Sequence, residues 1–306
     1  VLKHRLLLGP ILIALLVAGV WADDALDRTR VPAWLDPIFA GYSTLPPGII
    51  VFLVVLPLSF LAARELVTLL RAKGIKASMR LSCLAALTGL CVSCLVPSGV
   101  DAVHSVAIVS TAAMIILVFS LAFYSRRQDV EGVIAATGGT LLAFVYLGLM
   151  FGFMLAIRRE HSAWILLWIL VTTKSCDIGA YFTGRAIGKH KMMVWLSPGK
   201  TWEGLVGGVI FAALVGAVGI ELLRAYTYQG YLLPWQGGAL AGVLFAIVGQ
   251  MGDLIASLLK RDAGRKDSSQ ILPGFGGILD IIDSPLLVTP VAYWLLYATV
   301  HHAQTS

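Results

Sequence analysis

Apolar residues along this chain run in long unbroken stretches instead of alternating every second position or striping every third and fourth. Segments at 6–21, 48–66, 81–97, 103–123, 134–156, 163–182, 205–223, 238–259 and 278–300 each approach the ~20 apolar residues that cross a bilayer as a helix. Backbone amides in hydrocarbon must be satisfied within their own segment, so the pattern predicts an all-α polytopic membrane protein with about nine transmembrane helices. The stretch RELVTLLRAKGIKASMR, residues 64–80, mixes cations and apolar residues at helical spacing and predicts an interfacial amphipathic segment. Lys3 and Arg5 precede the first apolar run and VWADD follows it, as in a secretory signal; the run is longer than a signal core, which predicts an uncleaved anchor.

Composition agrees with a membrane solvent: 58% of the 306 residues are hydrophobic and 13% charged. The charge distribution adds orientation. With the N-terminus inside, seventeen of the 23 lysines and arginines fall on the cytoplasmic side and five on the other, leaving Lys174 within a span. The net charge of +6 therefore gathers where anionic lipids or phosphate compounds bind. Nucleic acid is not an expected partner, because no basic soluble domain is present to hold it. Cys83, Cys91, Cys94 and Cys176 all fall in apolar spans, and the CxxC of Cys91 and Cys94 has no second pair or histidine, so these thiols are expected to pack.

The two halves differ. Residues 1–160 read as a transmembrane scaffold, whereas 161–306 carry ionisable groups into or beside the membrane and read as the catalytic half. An acid inside a span costs about 2.5–3.5 kcal/mol on insertion scales, so each needs a partner or a function. Asp253 stands one turn before Ser257 and shares a helical face with it and with Lys260 or Arg261; Asp280 and Asp283 share a face of the last helix. Oxygen ligands without His or Cys suit Mg²⁺ and argue against zinc. The alternative is that these acids pair with Lys260, Arg261 and Lys266 and lock helix ends. The loop KRDAGRKDSSQILPGFGG adds cations and glycines of the kind that let backbone N–H groups approach a phosphate.

SPGKTWEG, residues 197–204, is not a Walker A loop, because Val194 stands where its first glycine belongs. Ser197, Lys200, Thr201 and Glu203 could contact a nucleotide from a short turn, or Glu203 could cap the following helix. Lys174 and Asp177 are spaced for an intrahelical ion pair, and an inward-facing acid near the site is the other option. The small residues of GRAIG suit helix packing within one chain or in a homodimer.

The stretch SLLKRDAGRKDSSQILPGFGGILDIIDSP, residues 257–285, resembles the signature of phosphatidate cytidylyltransferases, the CDP-diacylglycerol synthases. Ser257, Lys260, Arg261, Lys266, Asp267, Ser269, Leu272, Pro273, Gly276, Gly277, Asp280 and Asp283 fall in register, and DIGAYFTGRAIGKHK and SPGKTWEGLVGG are similar to that family in the same order. Two positions depart: Phe275 stands where the signature has His, and Ile281 where it has Arg. The resemblance implies transfer of a cytidylyl group from CTP to phosphatidate at the cytoplasmic face of the cell (inner or plasma) membrane. It implies Mg²⁺, with a monovalent cation such as K⁺ as a second candidate. Asp253, Asp280 and Asp283 are then the expected metal ligands, with Asp177 as a further candidate. Lys260, Arg261 and Lys266 would hold phosphates; Ser197, Lys200, Thr201, Glu203, Ser257, Asp267, Gly276 and Gly277 would line the substrates. Other classes open to the sequence are a CTP-dependent lipid enzyme with another acceptor (a polyprenol kinase or an archaeol-type cytidylyltransferase), a silent membrane partner, and a cation-coupled transporter. The last would need acids at the bilayer midplane and repeat symmetry between halves.

Overall fold

The computed structural model describes residues 2–32, 43–95, 102–126, 130–227, 233–269 and 276–305. Within them the chain forms nine helices: α1 (Leu2–Leu26), α2 (Ile49–Ala72), α3 (Met79–Leu95), α4 (Ala102–Ser125), α5 (Val133–Glu160), α6 (Ala163–Ile187), α7 (Trp202–Thr227), α8 (Trp235–Asp262) and α9 (Ile278–Thr305). Each coincides with one of the nine apolar segments, and the protein is an all-α polytopic membrane fold. Eight of the helices are long and apolar enough to span. The ninth, α3, has 17 residues; at ~25 Å it is shorter than a ~30 Å hydrocarbon core and is embraced by α2, α4 and α5. Large apolar side chains such as Ile13, Val106, Ile115, Phe119 and Val218 point outward, the inverse of a water-soluble surface.

Residues 64–80 do not form a separate amphipathic element. Their first part completes α2, burying Glu65, Leu66, Val67 and Leu69, and Gly74 then ends the helix at φ +86°, where Ile75 N–H reaches back to Leu70 O. Met79 and Arg80 already belong to α3. The apolar positions alternate with cations here because this helix end packs on one side and meets polar surroundings on the other.

Two apolar cores hold the bundle. One joins α2, α3 and α5 and takes Leu279, Ile282 and Leu286 from α9; the other joins α6, α7 and α8 and takes Val288, Ala292 and Leu296 from the same helix. Helix α9 is therefore shared by both halves of the sequence, and the scaffold half packs directly against the helix that carries Asp280 and Asp283. Between α6 and α7 the chain makes the hairpin β1 (Lys191–Met193) and β2 (Ser197–Thr201), paired antiparallel.

Candidate functional site

The ends of α2, α6 and α8, the starts of α7 and α9, and the hairpin meet at one end of the bundle, here called the motif end. Helix α8 approaches α9 without a side chain between them. A Cβ on Gly252 would stand 2.5 Å from Asp283 O and 3.1 Å from Ser284 Cα. That contact sets Asp253, the next residue on α8, beside Asp283.

Lysines complete this first cluster. Lys200, at the end of β2, forms an ion pair with Asp253. Lys174, on α6, lies 3.7 Å from both Asp177 and Asp283 and 3.4 Å from Ser284 Oγ. The expected intrahelical pair of Lys174 and Asp177 is thus present, and the same ammonium reaches the site acid. Asp283 is 1% exposed. Its Oδ1 accepts from Ser284 N (2.6 Å) and Ser284 Oγ (3.1 Å), while its buried Oδ2 has no hydrogen-bond partner.

Asp280 belongs to a second, adjoining cluster. Its Oδ1 takes Lys260 Nζ at 2.5 Å, and its Oδ2 accepts from Ser268 N (3.2 Å), Ser268 Oγ (2.9 Å) and Gly277 N (3.0 Å). Gly276, at φ +90°, makes the turn that folds the loop back onto this carboxylate. The two acids share a face of α9, as their spacing predicts, but their neighbours divide them. Pairing with Lys260, Arg261 or Lys266, the alternative open to the sequence, describes Asp280 alone; Asp253 pairs with Lys200 of the hairpin, and Asp283 keeps an oxygen without a hydrogen bond.

Among the described residues no three His, Cys, Asp or Glu side chains are grouped so as to hold a metal ion. The Lys174 ammonium stands between Asp177 and Asp283, and that of Lys200 pairs with Asp253. The donor set nevertheless fits a hard cation: it is all oxygen, and the free Asp283 Oδ2 is a buried acceptor of the kind a protein seldom leaves unsatisfied. Asp253 and Asp283 are the residues best placed to hold such an ion, with Asp177 and Asp280 at the margins.

The hairpin residues have more specific positions than their sequence suggests. Thr201 Oγ1 accepts from Gly204 N at 3.1 Å and so caps α7, the task considered for Glu203. The Glu203 carboxylate instead takes Lys189 N and His190 N, each at 3.2 Å, and His190 Nδ1 at 2.5 Å, bracing the turn that leaves α6. Arg261 Nε donates to Leu196 O at 3.3 Å and ties the hairpin to the end of α8. Ser197 is half-buried in β2 and Ser257 half-buried on α8, while Lys266 and Asp267 are exposed in the turn after α8. Phe275 lies outside the described residues; Ile281 is half-buried on α9. The glycines of GRAIG pack within the chain, with Gly184 and Gly188 against Thr201.

Sequence reasoning missed Glu65. This carboxylate, 3% exposed on α2, accepts from Ser268 Oγ (2.9 Å), Ser269 Oγ (2.6 Å), Ile278 N (2.9 Å) and Leu279 N (2.9 Å). It caps α9 from across the bundle and holds both ends of the motif loop. Gly277 must lack a side chain because Ser268 Oγ and the Glu65 carboxylate fill that space. The signal was available: Glu65 falls inside an apolar run, where the insertion cost that singled out Asp253 applies equally.

Comparison with known proteins gives a consistent relationship. The sequence model described as the cytidylyltransferase family matches residues 26–299. The phosphatidate cytidylyltransferase of Bacillus subtilis (strain 168) is 38% identical over 161 residues, 52% of this chain and 58% of that protein. That of Chlamydia muridarum is 37% identical over 58% of this chain and 60% of its own length. The match thus spans less than two thirds of either relative. The phosphatidate cytidylyltransferase of Staphylococcus saprophyticus is 33% identical over 82% of this chain and 92% of its own. With a family match over most of its length and the described signature residues gathered at one end of the bundle, the chain belongs to the cytidylyltransferase family.

Proposed function

We propose that this protein transfers the cytidylyl group of CTP to phosphatidate, giving CDP-diacylglycerol and pyrophosphate. A phosphate oxygen of the lipid attacks the α-phosphorus of CTP, the bond from that phosphorus to the bridging oxygen of the β-phosphate breaks, and pyrophosphate leaves. No protein nucleophile is required, so the work of the site is positioning and charge neutralisation. The observation that carries this reading is the pairing of half-buried Asp253 with buried Asp283, one oxygen of which has no hydrogen-bond partner, beside Lys174 and Lys200 at the end of an apolar bundle.

Asp253 and Asp283 would hold Mg²⁺, which when bound would offset the negative charge of the phosphates. Lys174, which bridges Asp177 and Asp283, and Lys200, which pairs with Asp253, are placed to turn to phosphate oxygens; Lys260, Arg261 and Lys266 extend the same positive field along the loop. Glu65 and Asp280 hold the loop's N–H groups and hydroxyls in place. We further propose that the lysine-rich motif end faces the cytoplasm from the inner or plasma membrane, that K⁺ is a second cation, and that the chain forms a homodimer through its exposed apolar faces. Purified protein given CTP, phosphatidate and Mg²⁺ should yield a liponucleotide and pyrophosphate in equal amounts. Absence of a liponucleotide with every anionic lipid acceptor overturns the proposal.

A further inference from the structure

The centre of α5 is wound as a π-helix, Ala143–Leu149, with Met150 N–H bonded to Val145 O five residues back. Such segments are rare and concentrate at functional sites. This one is fixed on two sides. Ser59 Oγ on α2 donates to Leu147 O at 3.2 Å, and α3 lies so near that a Cβ on Gly148 would stand 2.6 Å from Ala86 O. The extra residue in the turn re-phases the helix by ~100°. At its centre stands Tyr146.

Tyr146 is 5% exposed, and its ring belongs to the same apolar cluster as Ile282 and Leu286 of α9. Its hydroxyl is buried without a hydrogen-bond partner. The bond from Thr289 Oγ1 to Met150 O, 3.1 Å, sets α5 and α9 in register. One turn toward the motif end brings Tyr146 level with Pro285, and Asp283 stands two residues beyond. The carboxylates of Asp283 and Asp253 are near enough for their charge to act on this buried hydroxyl. Two buried polar atoms, one a donor and one an acceptor, are therefore both unsatisfied where α5 and α9 share one apolar cluster.

We infer that Tyr146 is a positioning residue for Asp283: its hydroxyl donates, through one bridging water, to the carboxylate oxygen that no protein group satisfies. This rests on the proposed reading of Asp253 and Asp283 as cation ligands, and it makes the phenol the outer partner that orients the inner carboxylate. Sequence pattern alone gives no hint of it, because Tyr146 sits in an apolar run with no charged neighbour nearby.

The test is Tyr146→Phe, which keeps the ring in its apolar cluster and removes only the hydroxyl. Mn²⁺ binding to the full chain in detergent, read by electron paramagnetic resonance, should weaken about tenfold, the scale of losing an outer partner of a metal ligand. The Mg²⁺ concentration for half-maximal turnover should rise in parallel, with the unfolding temperature retained. Phe144→Leu, which disturbs the same π segment where it packs on Ala85 and Ile116, should lower the unfolding temperature and leave Mn²⁺ affinity unchanged. Equal Mn²⁺ affinity in Tyr146→Phe and the parent overturns the inference, as does an equal loss in Phe144→Leu. Failure of the parent itself to bind Mn²⁺ overturns the metal reading and this inference with it.

Discussion

Two charge clusters sit at opposite ends of the bundle, and they are built to different rules. At the end away from the motif loop, Arg158 is 1% exposed and every guanidinium nitrogen is used: Nε pairs with Asp23, NH1 donates to His161 O at 3.1 Å, and NH2 donates to the Asp27 carboxylate at 2.7 Å. Asp23, also 1% exposed, takes the N–H groups of Ile50 (2.8 Å) and Val51 (3.3 Å) and thereby caps α2. At the motif end the contacts of Lys174 are 3.7 Å long, its side chain is 38% exposed, and Asp283 keeps a bare oxygen. The first cluster is saturated and can only hold the fold. The second is unsaturated and can take a ligand.

The comparison predicts opposite responses to removing one charge. Arg158→Leu strands a buried carboxylate and should lower unfolding stability by about 3–5 kcal/mol, with activity lost only as the fold is lost. Asp283→Asn should lower turnover by ~100-fold or more, the scale of removing a charged group near a transferring phosphoryl. Its unfolding temperature should be unchanged or raised, because the substitution discharges a buried, half-paired carboxylate. A fall in stability comparable to that of Arg158→Leu would erase the distinction between the clusters.

Glu65 tests the boundary between the two kinds. It is saturated like Asp23 but serves the motif loop. Glu65→Gln puts an amide donor among four donors and should cost about 1–3 kcal/mol of stability. It should also raise the KM for CTP, through a loosened loop; a stability loss with unchanged KM would class Glu65 with Arg158. The smallest effect is expected for Phe275→His, where one added hydrogen-bonding side chain should change the KM for CTP by about tenfold or less, checked by initial rates across CTP concentrations.

Much of this was written in the pattern of apolar runs. Each of the nine segments became a helix, because a bilayer demands internally bonded backbone and leaves few alternatives. The acids in those runs were also legible, since burying Asp253 or Asp283 calls for a reason. What was not legible depended on which helices touch. The stretch 64–80 looked amphipathic because nothing in the sequence says that α2 packs Glu65 against the start of α9. Thr201 took the capping task considered for Glu203, which braces the turn after α6, because a β-hairpin, not a simple turn, precedes α7. Asp280 and Asp283 share a helical face in sequence and still part company, since Ser268 and Lys260 draw one away while Gly252 brings Asp253 to the other.

The most direct test follows two labels through one reaction. Purified chain is incubated with phosphatidate, Mg²⁺ and CTP labelled at either the α- or the γ-phosphorus, and the lipid fraction is counted. The account predicts that the α-label enters lipid and the γ-label leaves in pyrophosphate. Appearance of the γ-label in lipid, or of neither label, would contradict it.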